Sequence, residues 1–367
     1  MKATTLLIFF LLGSLMKWPI AIEEPPKVTY PGANWQKADP AQYGWSIEKL
    51  DTVFAYAQSL GPGGLMVIDK GVAIIDWGAT DYRSKIASVR KSLLSALYGI
   101  HVQTDKIDLN RTLAQLGIDD KPPGLTAEEK QTTVRMVLQA RSGIYAPTVG
   151  EMPIMLATKP KRGSHAANTF WYYNNWDFNV SGTIFEQQTQ TKIADEFLAK
   201  IASPIGMQDF RLEDFYYSRG DESIHPAYHF KMTVRDLARF GYLYLRQGKW
   251  KDKQLIPADW IRESTTAYSD VSTFGPYGGY GYMWWVAKNG QHFPGASVKD
   301  GSYSARGAGG KYIIVLPDRD LVIAYSTTVD YPDHATHMAA SEIPKGIAAP
   351  EMGKLLNLIL AAKPANK

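Results

Sequence analysis

The chain has 367 residues, of which 45% are hydrophobic and 21% charged, so it is long enough to bury a large core. This ordinary balance excludes the disordered and fibrous classes. The absence of cysteine excludes disulfides and a thiol nucleophile. The formal net charge of +4 includes Lys2 and Lys17 near the N-terminus, and it is too small to indicate a nucleic-acid partner.

Residues 1–21 predict a signal peptide. Met1-Lys2 gives a basic start, residues 6–12 are all apolar, and an acidic stretch follows at Glu23-Glu24. The apolar run is too short for a stable helix across a bilayer, so we expect cleavage near Ala21. The mature chain would then be periplasmic or secreted, without stable membrane insertion. An uncleaved N-terminal anchor is the alternative.

Hairpins are predicted at both ends of the mature chain. Apolar spacings of three and four predict a helix over residues 46–60, ended by Gly63-Gly64. A hairpin follows over residues 65–75, and a second one is predicted over residues 312–325. The chain closes with a helix over residues 351–362.

The sequence between the hairpins is mostly helical in pattern, with clear periodicity over residues 127–140 and 233–246. We therefore predict an α+β fold of three layers, in which one antiparallel sheet forms from both chain ends and is flanked by helices. A mostly helical lobe at about residues 105–265 is inserted into a single domain of residues 22–367. The cleft between sheet and lobe is the expected place for a site.

One catalytic pattern, Ser88-Val89-Arg90-Lys91, opens an apolar helix after the first hairpin. The spacing puts the hydroxyl and the amine one helical turn apart on one face. Burial and nearby positive groups lower the pKa of a lysine, which can then take the serine proton. The free N–H groups at a helix start can hold an oxyanion. The alternative is an N-cap serine beside a solvated lysine, since the same pattern occurs by accident at Ser14.

Two later segments add candidates. Tyr173-Asn174-Asn175 offers a tyrosine that loses its proton more easily near a charged lysine, and an amide that can bond to substrate and lysine. The small residues over 305–310, before a strand, allow a substrate to approach the backbone and supply a second oxyanion donor. Aromatic core packing and a tight turn are the alternatives. His334 and His337 lack nearby carboxylates, so no metal and no cofactor are expected.

In this order, the three motifs resemble those of the penicillin-recognising serine hydrolases, especially the class C β-lactamase-like branch. That branch has Ser-x-x-Lys, Tyr-x-Asn and a Lys/His-Thr-Gly triplet, whose place is taken here by Ala305-Arg306-Gly307. The resemblance is nearest to the esterase and 6-aminohexanoate-dimer hydrolase-like members, and it implies a β-lactamase/transpeptidase-like fold. The roles that it implies are an acyl-enzyme on Ser88, acid–base work shared by Lys91 and Tyr173, orientation by Asn175, and an oxyanion hole from the N–H groups of Ser88 and Ala308.

The departure at Ala305 bears on the substrate. The cation that stands there in the family helps to bind a substrate carboxylate, so its loss argues against efficient β-lactamase or transpeptidase activity. Neighbours on a strand point to opposite faces, so Arg306 does not face the cleft if position 305 does. The expected substrate contacts, with core packing open for the aromatic residues, are Trp171, Gly307, Arg306, Tyr282 and Trp284.

These observations predict a serine hydrolase that cleaves a small-molecule ester or amide. One alternative is a D-amino-acid peptidase, carboxypeptidase or β-lactamase acting on cell-wall-type substrates. An alternative of another class is a non-catalytic cell-wall-binding or sensor protein on the same fold. The oligomeric state does not follow from the sequence.

Overall fold

The computed structural model describes residues 28–333, 338, 341–342 and 346–363. The predicted signal peptide, His334 and His337 lie outside this part of the chain. Within it, no helix is long and apolar enough to cross a membrane.

The helices of the described chain are α1 Ile47–Ser59, α2 Val89–Gln103, α3 Leu113–Leu116, α4 Val134–Leu138, α5 Pro153–Thr158, α6 Asn175–Thr189, α7 Ile193–Phe197, α8 Val234–Leu245, α9 Ala258–Ser264 and α10 Ala349–Ala362. The strands are β1 Gly63–Asp69, β2 Val72–Gly78, β3 Ser84–Lys85, β4 Phe215–Ser218, β5 Ala227–Met232, β6 Lys249–Trp250, β7 Lys253–Gln254, β8 Ser269–Asp270, β9 Gly279–Tyr280, β10 Trp285–Val286, β11 Gln291–Phe293, β12 Ala296–Ser297, β13 Tyr303–Gly307, β14 Lys311–Leu316 and β15 Leu321–Thr327.

The main sheet has eight antiparallel strands in the order β2-β1-β15-β14-β13-β10-β9-β8. Both predicted hairpins are present, and β1 pairs with β15 along their whole length, from Gly63 opposite Thr327 to Asp69 opposite Leu321. The prediction that the two chain ends share one sheet is therefore confirmed. Gly63 and Gly64 were expected to end the first helix. That helix ends earlier, at Ser59, and the two glycines begin β1 instead.

Both faces of the sheet are covered, which explains why its strands are apolar at almost every position. On β15, Leu321 and Ile323 pack towards α1 and α10, whereas Val322 and Ala324 pack towards α8. Helix α8 comes so close that a Cβ at Gly241 would lie 2.6 Å from the Val322 side chain. Thus α8 forms part of the sheet's cover, although its residues fall within the range predicted for the lobe.

The inserted lobe is less helical than its pattern indicated. It contributes β4 and β5 to a three-stranded sheet in the order β3-β5-β4, whose third strand, β3, precedes the lobe in the chain. The helix expected over residues 127–140 is a 3₁₀ turn at Glu129–Gln131 followed by α4. The break falls at Thr132 and Thr133, because the Thr133 hydroxyl accepts from the N–H of Met136 and caps a new helix there.

Candidate active site

The first turn of α2 lies between the sheet and the lobe, and Ser88 directly precedes it. Ala87 has a φ of 46°, a left-handed conformation that is uncommon for a residue with a side chain and occurs often at functional sites. Ser88 is half-buried and lines a cavity of about 300 Å³. The nucleophile predicted from the sequence therefore lies at the expected cleft.

Lys91 is 1% exposed and has three oxygen atoms around its amine. Its Nζ lies 2.9 Å from each of Ser88 Oγ, Tyr173 Oη and Asn175 Oδ1. Burial, with the charge of Arg90 as a second cause, holds the pKa of Lys91 well below its usual value. A neutral amine has two N–H donors and one lone pair. In the neutral form, donation to Tyr173 and Asn175 would leave that lone pair for the hydroxyl proton of Ser88.

Tyr173 keeps its proton in this environment. Burial raises the pKa of Tyr173 to about 12, and the lowering effects of Ser88, Arg90 and Arg306 only partly oppose it. The expectation that a charged lysine would lower this pKa is therefore wrong, because burial raises it by more than the nearby charges lower it. The ring is fixed by stacking on Trp285, with centroids 5.5 Å apart.

Asn175 orients the lysine and is itself held in place. Its Oδ1 accepts from Lys91, and its Nδ2 donates to the carbonyl oxygen of Gly150 at 2.7 Å. The side chain is 6% exposed and lines the cavity. Both ends of the amide therefore have protein partners.

The end of β13 comes unusually close to the start of α2. A Cβ at Gly307 would lie 2.4 Å from the carbonyl oxygen of Ile86 and 3.2 Å from the nitrogen of Ser88. Only glycine permits this approach. It brings Ala308, the next residue, to the same cavity, and the N–H groups of Ser88 and Ala308 have no acceptor among the described residues. The two backbone donors expected from the sequence are thus near each other and free.

The aromatic residues expected in the cavity wall divide between wall and core. Tyr282 and Trp284 are fully buried, and Trp284 packs against Tyr244, so their prediction as substrate contacts is wrong. Trp171 is also buried and packs behind Tyr173. Trp285, the neighbour of Trp284, lines the cavity instead. Adjacent residues at a strand point in opposite directions, and the sequence alone did not show which of the two faces inward.

Arg306 lines the cavity, whereas Ala305 is buried in the core on the α2 side of the sheet. This reverses the orientation considered from the sequence. The guanidinium is nevertheless engaged: Nε donates to Ser304 Oγ at 2.8 Å, and Nη2 donates to the carbonyl oxygen of His292 at 2.6 Å. It also lies 3.9 Å from the centre of the Phe293 ring.

Several cavity residues were not predicted. Arg90 stands inside the Ser-x-x-Lys pattern, so its place at the start of a buried helix could have indicated it. Lys85 and His229 come from β3 and β5, and their pairing has no local sequence signal. Met152 and Met155 add an apolar wall.

Two other features of the described residues do not compete with this site. No group of three or more His, Asp or Glu side chains could hold a metal ion there. A larger groove of about 480 Å³ lies between the turn before β15 and the end of α10, and its lining includes Trp45, Arg319 and Lys363. That lining contains no serine and no tyrosine–lysine pair near one.

The beta-lactamase family model matches residues 57–343. The chain belongs to the beta-lactamase family. This is a family of serine hydrolases that includes esterases, amidases and penicillin-binding proteins. The resemblance seen in the three sequence motifs and the predicted fold class are therefore confirmed.

Solved structures with the same fold carry several different names. A protein described as a 6-aminohexanoate-dimer hydrolase from Bacillus anthracis has a TM-score of 0.62 at 16% identity, over 91% of this chain and 89% of that chain. A penicillin-binding protein homologue from Caulobacter crescentus has a TM-score of 0.61 at 14% identity, over 87% and 99%. EstCE1, described as a hydrolase with promiscuous acyltransferase activity, has a TM-score of 0.61 at 12% identity, over 85% and 97%. At these identities the likeness concerns the fold alone.

Proposed function

We propose that the protein hydrolyses small carboxylic esters or amides through an acyl-enzyme on Ser88. The observation that carries this proposal is the contact of 2.9 Å between Lys91 Nζ and Ser88 Oγ, made by an amine whose other two partners take its N–H groups. A buried lysine with a lowered pKa is the base that a serine nucleophile requires.

The reaction has two steps, acylation of Ser88 and hydrolysis of the acyl-enzyme. Ser88 Oγ attacks the substrate carbonyl carbon while its proton passes to Lys91, and the N–H groups of Ser88 and Ala308 hold the oxyanion. The bond to the leaving group then breaks, and Tyr173 gives that group a proton and regains one from Lys91. Water attacks the acyl group in the second step and gives its proton to the same lysine–tyrosine pair. The Ser88–acyl bond breaks, and Ser88 recovers its proton.

The size and lining of the cavity support a small acyl group. A volume of about 300 Å³ is at the low end for ligand cavities. Met152, Met155 and Trp285 provide apolar contacts for a short chain.

The test is labelling with a fluorophosphonate probe together with hydrolysis of a short-chain nitrophenyl ester. The native protein should be labelled and active, and Ser88→Ala should lose labelling and about 10⁵-fold or more in kcat/KM. Ser95→Ala is the matched control, because Ser95 is buried on the same helix but does not line the cavity. An unlabelled native protein would favour the non-catalytic alternative, and labelling of Ser88→Ala would move the nucleophile elsewhere.

A D-amino-acid peptidase or carboxypeptidase is the second candidate. It is favoured by Arg306, which brings a cation to the cavity although Ala305 lacks one. Stable acylation of Ser88 by a labelled β-lactam would support this candidate over the esterase. Action outside the cytoplasm remains a prediction from the N-terminal segment, and cell fractionation would test it.

A further inference from the structure

One wall of the cavity is lined by basic residues that exchange no proton in the acyl transfer described above. It consists of Lys85 on β3, Arg90 on α2 and His229 on β5, which we call the basic wall. The three side chains line the same cavity as Ser88, yet they are only 6%, 4% and 7% exposed.

Lys85 already has an anionic partner within the protein. Its Nζ forms an ion pair with Asp333 and donates to the carbonyl oxygen of Tyr331 at 3.2 Å. The same Asp333 accepts from Tyr216 Oη at 3.2 Å. Asp333, the one carboxylate that described residues bring to the cavity lining, is therefore committed to Lys85 and Tyr216.

Arg90 lacks such a partner. Its only hydrogen bond to a described residue runs from Nη2 to Asn179 Oδ1 at 3.3 Å, and its guanidinium lies 4.4 Å from the centre of the Tyr228 ring. Nη1 is buried without a hydrogen-bond partner, and no described carboxylate lies within ion-pair distance. Unlike Lys91, an arginine cannot escape burial by losing its proton.

His229 is the second member of the wall with unused capacity. Neither of its ring nitrogens has a hydrogen-bond partner in the described part of the chain, and both are buried. Nε2 lies 3.7 Å from Asp333 Oδ1, which is too long for a hydrogen bond. Burial, with the nearby charges of Arg90 and Lys85, holds the pKa of His229 below its usual value, so the ring is neutral and has one N–H to donate.

We propose that Arg90 and His229 form an anion subsite that binds a carboxylate of the substrate. The preferred substrates are then esters or amides whose acyl part carries a free carboxylate, and this inference rests on the proposed function. Burying a guanidinium without a countercharge is costly, and a substrate carboxylate beside it supplies that countercharge. Two unused donors match the two oxygens of one carboxylate.

The other cavity cation is less suited to this role. Arg306 already donates to Ser304 and His292 and lies against the Phe293 ring. Its Nη1 has no hydrogen bond to a described residue, but Nε and Nη2 already fix the guanidinium. The donors that are buried without such a bond are Nη1 of Arg90 and the ring nitrogens of His229.

The experiment compares two esters of equal chain length, 4-nitrophenyl hexanoate and the mono-4-nitrophenyl ester of adipic acid. Native protein should favour the adipate ester in kcat/KM by about tenfold or more. In Arg90→Gln that ratio should fall by roughly ten- to a hundredfold, and in His229→Leu by a smaller factor. Using the ratio cancels any common effect of these variants on Lys91, and the control Ser95→Ala, outside the cavity lining, should leave the ratio within about twofold. Arg306→Gln tests the other cavity cation in the same assay.

A second readout does not depend on turnover. Calorimetry with adipate itself on Ser88→Ala should show binding, weakened about tenfold or more when Arg90→Gln is added. Equal native rates on the two esters, absence of adipate binding, or loss of the ratio only in Arg306→Gln would each overturn the subsite. These results leave the proposed esterase intact, whereas adipate binding without any esterase activity would support the subsite and contradict the proposed function. If Arg90→Gln does not fold, the subsite is tested by the ratio of kcat/KM for the two esters in the native protein and in His229→Leu.

Discussion

Arg90 and Lys91 are neighbours on the first turn of α2 and are both buried, but the protein treats the two cations differently. Lys91 is surrounded by three oxygen atoms at 2.9 Å, whereas Arg90 keeps a buried nitrogen that has no hydrogen-bond partner among the described residues. The difference follows from their acid–base chemistry. Burial can turn a lysine into a neutral amine and hence into a base, but it cannot remove the charge of an arginine. One position therefore suits proton transfer, and the other suits an anion.

Replacing Lys91 with methionine removes the proton acceptor of this pair and should give the largest loss of activity. Lys91→Met keeps an apolar side chain of similar length but removes the base, so kcat/KM should fall about 10³- to 10⁴-fold for neutral and anionic esters alike. Stopped-flow detection of the acylation burst would measure this loss. A fall of only a fewfold would mean that another group accepts the Ser88 proton.

The same variant makes a prediction about stability. Because the folded-state pKa of Lys91 lies well below 10.5, the unfolded chain binds more protons than the folded protein between the folded-state pKa and 10.5. The free energy of unfolding of the native protein should therefore rise with pH until about 10.5. Lys91→Met should lack this contribution, so its advantage in stability at neutral pH should shrink as the pH rises. Urea unfolding at several pH values would show it.

Tyr173→Phe should have the next largest effect. It removes the proton donor for the leaving group while preserving the ring that stacks on Trp285, so kcat/KM should fall about 10²- to 10³-fold. Esters with better leaving groups need less protonation and should lose less. A uniform loss across leaving groups would contradict a role as general acid.

Gly307→Ala tests geometry rather than charge. The new methyl group would lie 2.4 Å from the carbonyl oxygen of Ile86, so the end of β13 must move away from the start of α2. We expect roughly a 10- to 10²-fold loss in kcat/KM, which is less than the roughly 10²- to 10³-fold loss on removal of an oxyanion donor, because the donor is displaced rather than removed. Ala305→Gly, two residues earlier and facing the core, is the control for strand flexibility. Unchanged turnover in Gly307→Ala would remove Ala308 from the oxyanion hole.

The smallest expected effect comes from the influence of the Arg90 charge on the pKa of Lys91. Lys91 must be neutral to act as base, so kcat/KM should rise as the pH increases through the pKa of Lys91. Above that pH it should stay level until Tyr173, with a pKa of about 12, loses its proton. The charge of Arg90 lowers the pKa of Lys91. Arg90→Gln should therefore move the acid limb to higher pH and lower the activity a fewfold at neutral pH. If the acid limb of the pH profile of Arg90→Gln lies at the same pH as in the native protein, burial alone sets the pKa of Lys91.

Much of the architecture could be predicted because its signals are local. Hairpins at β1–β2 and β14–β15 follow from apolar runs around turn residues, and α8 follows from its periodicity. The small sheet of β3, β4 and β5 was missed, because β3 has two residues and pairs with a strand more than 140 positions away. Helix α4 was predicted too long, because a threonine cap interrupts a pattern that remains apolar on both sides.

By itself, the sequence determined the order of the elements, the Ser88–Lys91 spacing and the glycine at 307, since each depends on residues close together in the chain. Only the tertiary structure decided which neighbour of each pair faces the cavity: Arg306 rather than Ala305, and Trp285 rather than Trp284. It also placed His229 beside Arg90. The physical reason is that side-chain direction on a short strand depends on the register with its partners, and the state of a buried charge depends on what surrounds it in space.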